Sequence, residues 1–254
     1  MPSSRLMSMS TQGTNSAPRH AEDDEMALLG LIAYQELTAF EHLSSDARLS
    51  PTLVDRETLA RLAVTEFAHY ELIREIIAAR GMDAQEVIAP FISAIDQMHQ
   101  RTKPGDWYES LTKAYVIDGV AADFYMYIAS ALTDEARTLV RDVKTSDANT
   151  EWLRERLQLA IADRPDRASR LALWGRRLLG EALTQAREIG EQYDYWGALE
   201  RESVSPAGPA IDASAAASAR GERSHHDRGQ TMTALFAKLV ENHSRRMSKL
   251  GMTA

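Results

Sequence analysis

The sequence of 254 residues contains no cysteine. This absence excludes disulfides, thiolate-bound zinc, iron–sulfur clusters and thiol nucleophiles, so any bound metal must be held by carboxylates and histidines. Aromatic residues make up only 7% of the chain, and no apolar run approaches the ~18 residues that a membrane span requires. The first twenty residues are polar and lack the apolar segment of a signal peptide. We therefore expect a cytoplasmic protein that does not enter a membrane.

The net charge of −8 is distributed unevenly. Residues 21–199 contain 31 acidic and 19 basic residues, a net charge of −12, which argues against a general electrostatic surface for nucleic acid. One stretch has the opposite balance, because eight arginines between residues 154 and 187 face only four acids. We interpret this stretch as a solvated helical surface with ion pairs.

Apolar residues recur at spacings of three and four along nearly the whole chain, which predicts an all-α fold. Long helices are predicted over about 22–46, 52–80, 106–132 and 166–197, and shorter ones over 84–101 and 133–163. At 1.5 Å per residue the long helices span ~37–45 Å, which is typical of a long four-helix bundle. Gly81 follows the second helix at the position where glycine commonly ends a helix.

The composition divides the chain into four parts. Residues 1–21 are predicted to be disordered, and residues 22–199 to form the helical bundle. Residues 200–230 are rich in Ala, Ser, Gly and Pro without an apolar stripe, so they predict a flexible linker. Residues 231–254 contain a final amphipathic helix, over about 231–250, which we expect to dock on the bundle; a partner-binding helix is the alternative.

Each long helix carries one acid on its buried stripe near its midpoint: Glu36, Glu66, Asp118 and Glu181. In an antiparallel bundle the helix midpoints lie at one height, so these four carboxylates are predicted to converge in one layer. Unpaired carboxylates in an apolar core are very costly, and a bound dication removes that cost. On the third helix Asp123 competes with Asp118 for this role.

Glu66 and His69 form a Glu-x-x-His pair, in which a carboxylate and an imidazole lie one turn apart on one helix face. Together with the other midpoint acids this pair predicts a metal site. A second such pair, Glu222 and His225, lies in the predicted linker and is interpreted as a chance match. The alternative is a set of satisfied core polar residues, in which Glu36 pairs with an arginine of another helix and Glu181 with Arg177.

Five segments resemble the actinobacterial ferritin-like proteins grouped as MiaE-like, a name taken from the tRNA 2-methylthio-isopentenyladenosine hydroxylase. They are AYQELTAFEHLSSDARLSP, RLAVTEFAHYELI, KAYVIDGVAADFY, RLALWGRRLLGEALTQA and LFAKLVENHSRRMSKLG. The resemblance implies a ferritin-like four-helix bundle with a carboxylate-bridged di-iron site that activates dioxygen and hydroxylates an unactivated carbon. It implies metal ligands at Glu36, Glu66, His69, Asp118 and Glu181.

The sequence departs from this family at its second Glu-x-x-His pair, because Thr184 stands three residues after Glu181. A single or incomplete iron site is therefore the alternative to a full di-iron site. A hydroxylase would need an electron donor and a substrate that the sequence does not identify, and a homo-oligomer is left open. The family name suggests tRNA as a partner, which the acidic body does not support. The alternative function is a structural or iron-binding ferritin-like protein without hydroxylase activity.

Overall fold

The computed structural model describes residues 21–130, 134–144, 147–193 and 216–253. Within these ranges every regular element is helical. After α1 (Ala21–Asp46) and a short 3-10 turn (Ala47–Leu49) the helices are α2 (Leu53–Ala79), α3 (Ala84–Arg101), α4 (Trp107–Ala129), α5 (Asp134–Lys144), α6 (Asp147–Asp163), α7 (Asp166–Gln192) and α8 (Ala216–Lys249). None of the described helices is long and apolar enough to cross a membrane.

Capping residues set several of these boundaries. The Thr52 hydroxyl accepts a hydrogen bond from the Asp55 amide at 3.1 Å and so caps the start of α2. The Asp106 carboxylate accepts one from the Glu109 amide at 2.9 Å at the start of α4. Gly81 follows α2 with a φ of 77°, a left-handed conformation that glycine adopts without a steric cost.

The helices form the predicted all-α bundle. Its most extensive pairings are α1 with α2 and α4 with α7, and contacts between α1 and α4 join the two pairs. Helix α3 covers α1 and α7, while α5 and α6 pack against α4. Helix α1 therefore has α2, α3 and α4 as neighbours, and α7 has α3 and α4.

The last helix begins earlier than the sequence pattern predicts. Helix α8 starts at Ala216 rather than near residue 231, so 216–230 continue a helix where a flexible linker was predicted. The rest of that predicted linker, residues 200–215, lies outside the described residues, as do the predicted disordered residues 1–20. Helix α8 packs against α4 and α7, and its Leu235 and Leu239 are buried in the core.

Two glycines in the bundle make room for α8. A Cβ atom at Gly119 would lie 2.5 Å from Nε of Arg246, and one at Gly175 would lie 2.6 Å from Cε of Met247. The Arg246 guanidinium donates to the Gly119 carbonyl at 2.7 Å and forms an ion pair with Asp123. The absence of side chains at 119 and 175 therefore lets α8 approach α4 and α7 closely.

The apolar core consists of two clusters with a charged layer between them. On α1, Ala33 belongs to one cluster and Leu43 packs against the other. On α2, Leu62 and Ile73 are divided in the same way. Glu36, Glu66 and His69 fall between these positions, so the helix midpoints are polar as the sequence predicts.

Candidate metal centre

Helices α1 and α2 bring three potential metal ligands together. Glu36 on α1 has no exposed surface, and its Oε2 lies 3.3 Å from Nδ1 of His69 on α2. Glu66, one turn before His69, places its Oε2 3.7 Å from the same nitrogen. One ligand atom from each residue lies within 4.8 Å of the others, and no other group of three or more among the described residues has this property. Two carboxylates and an imidazole are a donor set for a divalent transition metal.

A lysine lies on the opposite side of Glu36. Lys144, the last residue of α5, is only 4% exposed and forms an ion pair with Oε1 of Glu36. Its Nζ also lies 3.1 Å from Oδ1 of Asp118. The ammonium therefore stands between two carboxylates that the sequence analysis assigned to a metal site.

Sequence reasoning missed Lys144, although the sequence contains a signal. Helix α5 buries Ala136, Val140 and Val143, and Lys144 follows Val140 by four residues on the same helix face. A lysine that continues an apolar stripe is expected to find a buried anion, because a buried ammonium without a partner is very costly.

The charged layer has strongly perturbed protonation equilibria. Burial opposes the ionisation of Glu36, but the Lys144 ammonium overrides it and lowers the pKa of Glu36. Burial, aided by the neighbouring Glu36 carboxylate, raises the pKa of Glu66 to about 8. Hydrogen bonds to Glu36 and Glu66 raise the pKa of His69 to about 9. Near neutral pH both His69 and Glu66 are therefore protonated, and a bound metal ion would displace these protons.

The other predicted ligands do not join this group. Asp118 has a side chain that is 46% exposed and is held by Lys144. Glu181 accepts a hydrogen bond from Nε of Arg101 at 2.6 Å, because the face of α7 that carries it meets the end of α3. The predicted convergence of four midpoint carboxylates therefore does not extend to Glu181, and its partner is Arg101 rather than the Arg177 of the alternative. Asp123 pairs with Arg246.

The residues present fit one metal ion and do not fit two. A single ion can be coordinated by Oε2 of Glu36 together with Glu66 and His69. A second ion bridged by Glu36 would need Oε1 of that carboxylate and a further acid. Lys144 already pairs with Oε1 and with Asp118, so its positive charge occupies the place of the second cation.

An internal cavity of about 70 Å³ borders the charged layer. Glu66, Asp118 and Lys144 lie at one end, whereas its walls are largely apolar: Ala39, Leu43, Leu62, Ala114, Ile117 and Leu153. A water molecule needs ~10–15 Å³ of such space, so the cavity is large enough for several waters or for part of a small organic molecule.

A helical bundle with a Glu–Glu–His group between two paired helices is typical of the ferritin-like class of proteins. The family model for the ferritin-like domain of actinomycetes matches residues 20–201, so the chain belongs to this family. A search of the curated proteins gives no match.

Proposed function

We propose that this ferritin-like protein binds one divalent transition-metal ion, iron(II), at Glu36, Glu66 and His69, and that it is an oxygen-dependent hydroxylase of a small molecule. The observation that carries the proposal is that the two carboxylate oxygens of Glu36 have different partners. One oxygen faces Glu66 and His69, whereas the other faces the ammonium of Lys144. The choice of iron is supported by the resemblance to the di-iron hydroxylases.

Among the described residues, Glu36, Glu66 and His69 would hold the iron ion as three donors. Iron bound in this way would supply the reductive activation of dioxygen. Insertion of one oxygen atom into a C–H bond releases the other as water, which requires two electrons from an external donor and two protons. Lys144 keeps Glu36 ionised, and Glu66 lies beside the cavity where it can hold or release a proton.

The cavity favours a small molecule over tRNA as the substrate. Its apolar walls lead directly to Glu66, whereas a nucleoside within tRNA would need a basic surface around the entrance. The arginines of residues 154–170 are engaged with acids of this chain instead: Arg154 with Glu151, Arg156 with Asp55, Arg164 with Asp166, Arg167 with Asp163, and Arg170 with Asp106 and Glu109.

A second candidate is a structural ferritin-like protein that needs no metal. It is favoured by the charge balance of the layer, since Lys144 and protonated His69 offset the carboxylates of Glu36 and Asp118 while Glu66 retains a proton. In this case the fold persists without chemistry at its centre.

An anaerobic titration of the metal-free protein with iron(II) separates these functions. We expect one equivalent per chain, with binding lost in His69→Ala because a coordinating ligand is removed. Glu181→Gln is the matched control and should retain the full equivalent, because Glu181 pairs with Arg101. Two equivalents, of which one is lost in Glu181→Gln, would establish a dinuclear site, and no binding would favour the structural protein.

Oxygen consumption tests the catalytic half of the proposal. The iron-loaded protein, supplied with ascorbate, should consume dioxygen faster than the His69→Ala variant at equal total iron. Equal rates for the two proteins would reduce the proposal to metal binding alone.

A further inference from the structure

A second group of nitrogen-bearing side chains lies at the other end of the internal cavity. His42 on α1 and His99 on α3 contact each other, with ring centroids 4.2 Å apart and the ring planes tilted by 36°, and Lys113 on α4 is next to them. These three residues, here called the basic cluster, line both the internal cavity and an outer groove of about 480 Å³. The basic cluster therefore stands between the surface and the cavity that leads to Glu66.

Two members of the basic cluster, His99 and Lys113, have buried nitrogens without partners. His99 is 7% exposed and Lys113 is 6% exposed. Both ring nitrogens of His99 and Nζ of Lys113 have no hydrogen-bond partner in the part of the chain that the structure describes. An unsatisfied buried ammonium is costly, and such a group in a folded protein points to a missing ligand or ion.

The nearby acids have hydrogen-bond partners of their own. Asp46 accepts a hydrogen bond from the Ser110 hydroxyl at 2.6 Å, and Asp96 accepts one from the Tyr34 hydroxyl at 2.7 Å. Burial, opposed only in part by Asp46, lowers the pKa of Lys113 to about 8. Burial and then the Lys113 charge lower the pKa of His99 to about 2. The cluster therefore offers one ammonium and the N–H groups of neutral imidazoles as hydrogen-bond donors.

These features favour an anion over a metal ion. The ammonium of Lys113 would repel a cation, and the cluster is not among the described groups with metal-ligand spacing. The walls beyond the cluster are apolar, which suits an anion that carries a short hydrocarbon chain. A doubly charged phosphate would bury more charge than one ammonium offsets.

We infer that the basic cluster binds the carboxylate of a small organic acid, whose hydrocarbon chain lies in the cavity toward Glu66. The Lys113 ammonium pairs with the carboxylate, and neutral His42 and His99 each donate an N–H to it. As a ligand site this stands on the cluster alone. As the substrate site of a hydroxylase it rests on the function proposed above.

Calorimetric titration of the metal-free protein with acetate, butyrate and hexanoate tests the site. Affinity should rise with chain length, by about fourfold for each methylene buried, and hexanol and hexylamine should not bind. Tighter binding of inorganic phosphate than of hexanoate would overturn the carboxylate assignment. Equal affinity for all three acids would show that the chain does not enter the cavity and would overturn that part.

Lys113→Met is the decisive variant, because methionine keeps the length of the side chain and removes its charge. Hexanoate affinity should fall by roughly 30-fold or more. Without ligand the variant should unfold at a temperature equal to or above that of the parent, since an unpaired ammonium is removed. Lys103→Met is the matched control, because Lys103 is exposed in the same outer groove, and it should bind hexanoate as the parent does.

His69→Ala separates this inference from the metal proposal, because His69 does not line the cavity. Hexanoate should bind this variant with unchanged affinity even though its iron is lost. Loss of hexanoate binding in His69→Ala, or its retention in Lys113→Met, would overturn the inference and leave the iron stoichiometry as a separate result.

Discussion

Lys144 and Lys113, which line the same cavity, show how burial and a carboxylate partner each change the pKa of a lysine. Both are buried: the side chain of Lys144 is 4% exposed, and Lys113 as a whole residue is 6% exposed. Although burial disfavours its charge, the Glu36 and Asp118 carboxylates raise the pKa of Lys144 well above its usual value. Burial lowers the pKa of Lys113 to about 8, because no carboxylate of the described residues forms an ion pair with it and Asp46 offsets burial only in part. The partner, and not the depth, decides whether a buried lysine stabilises the fold.

This difference assigns different tasks to the two regions. In the charged layer the Glu36 carboxylate already has a cationic partner in Lys144. Only the metal ion that Glu36, Glu66 and His69 can coordinate would come from outside. The basic cluster is incomplete within the described residues and requires a ligand from outside. We therefore expect substitutions of the same type to have opposite effects in the two regions.

Removal of the Lys144 charge should have the largest effect. In Lys144→Met the Glu36 carboxylate is left buried without its cation, and breaking such a pair costs about 3–5 kcal/mol of the free energy of unfolding. Urea denaturation of the metal-free protein at pH 7 measures this loss. Addition of Glu36→Gln should recover part of it, because the uncompensated charge is then gone. A single variant as stable as the parent would show that the pair contributes nothing.

Removal of the Lys113 charge should have the opposite sign. The pKa of Lys113 falls from 10.5 to about 8 on folding, so an ammonium at pH 7 opposes folding by about 3 kcal/mol. The same urea experiment on Lys113→Met should show a gain of that order. A loss instead would mean that Lys113 already has a stabilising partner, and the contrast with Lys144 would disappear.

The pH dependence of stability sharpens the comparison further. The pKa of His99 is lowered to about 2, so below pH 6.5 the unfolded chain binds a proton that the native protein does not. The free energy of unfolding should therefore decrease as the pH is lowered, by about 1 kcal/mol between pH 6.5 and 5.5 from this residue alone. His99→Gln should flatten the profile in this range. His243, whose pKa burial lowers to about 4, adds a similar slope, so the double variant with His243→Gln should be flatter still.

Substitution of the surface arginines should have the smallest effect, because these arginines, like Lys144 and unlike Lys113, already have partners within the chain. Arg176 and Arg177 donate to the carbonyl oxygens of Thr253 and Arg101, and their neighbours are paired with acids. We expect tRNA to bind no more tightly than ~10⁻⁴–10⁻⁶ M at physiological salt. Arg176→Glu with Arg177→Glu should leave this value unchanged in a filter-binding assay. A submicromolar complex abolished by the double variant would restore tRNA as the substrate.

The helices could be predicted from the sequence, and so could Glu36, Glu66 and His69 of the candidate site. Periodicity and capping residues are local signals, and α3 begins and ends as predicted. Glu36, Glu66 and His69 come from two helices joined by a short connection, which keeps their midpoints at one height. Site residues on helices that follow one another directly in the chain could therefore be predicted.

The remaining residues depend on rotations that the sequence pattern does not specify. Glu181 lies at a helix midpoint as predicted, but α7 turns this face to Arg101 of α3. Lys144 reaches Glu36 because α5 packs against α4 after the third long segment of the pattern has ended. His99 and Lys113 gain their significance from a contact among three helices, which no spacing within one helix reveals.

The fit of α8 against Gly119 and Gly175 has a consequence for how the protein is divided. The family match ends at residue 201, whereas Arg246 and Met247 fill the space above these two glycines. A fragment cut at the end of the match would keep every candidate metal ligand and still lose part of its core. The region that the family model matches is therefore shorter than the bundle that includes α8. Gly119 and Gly175 lie inside the matched region, but the side chains that use the space above them come from α8, outside it.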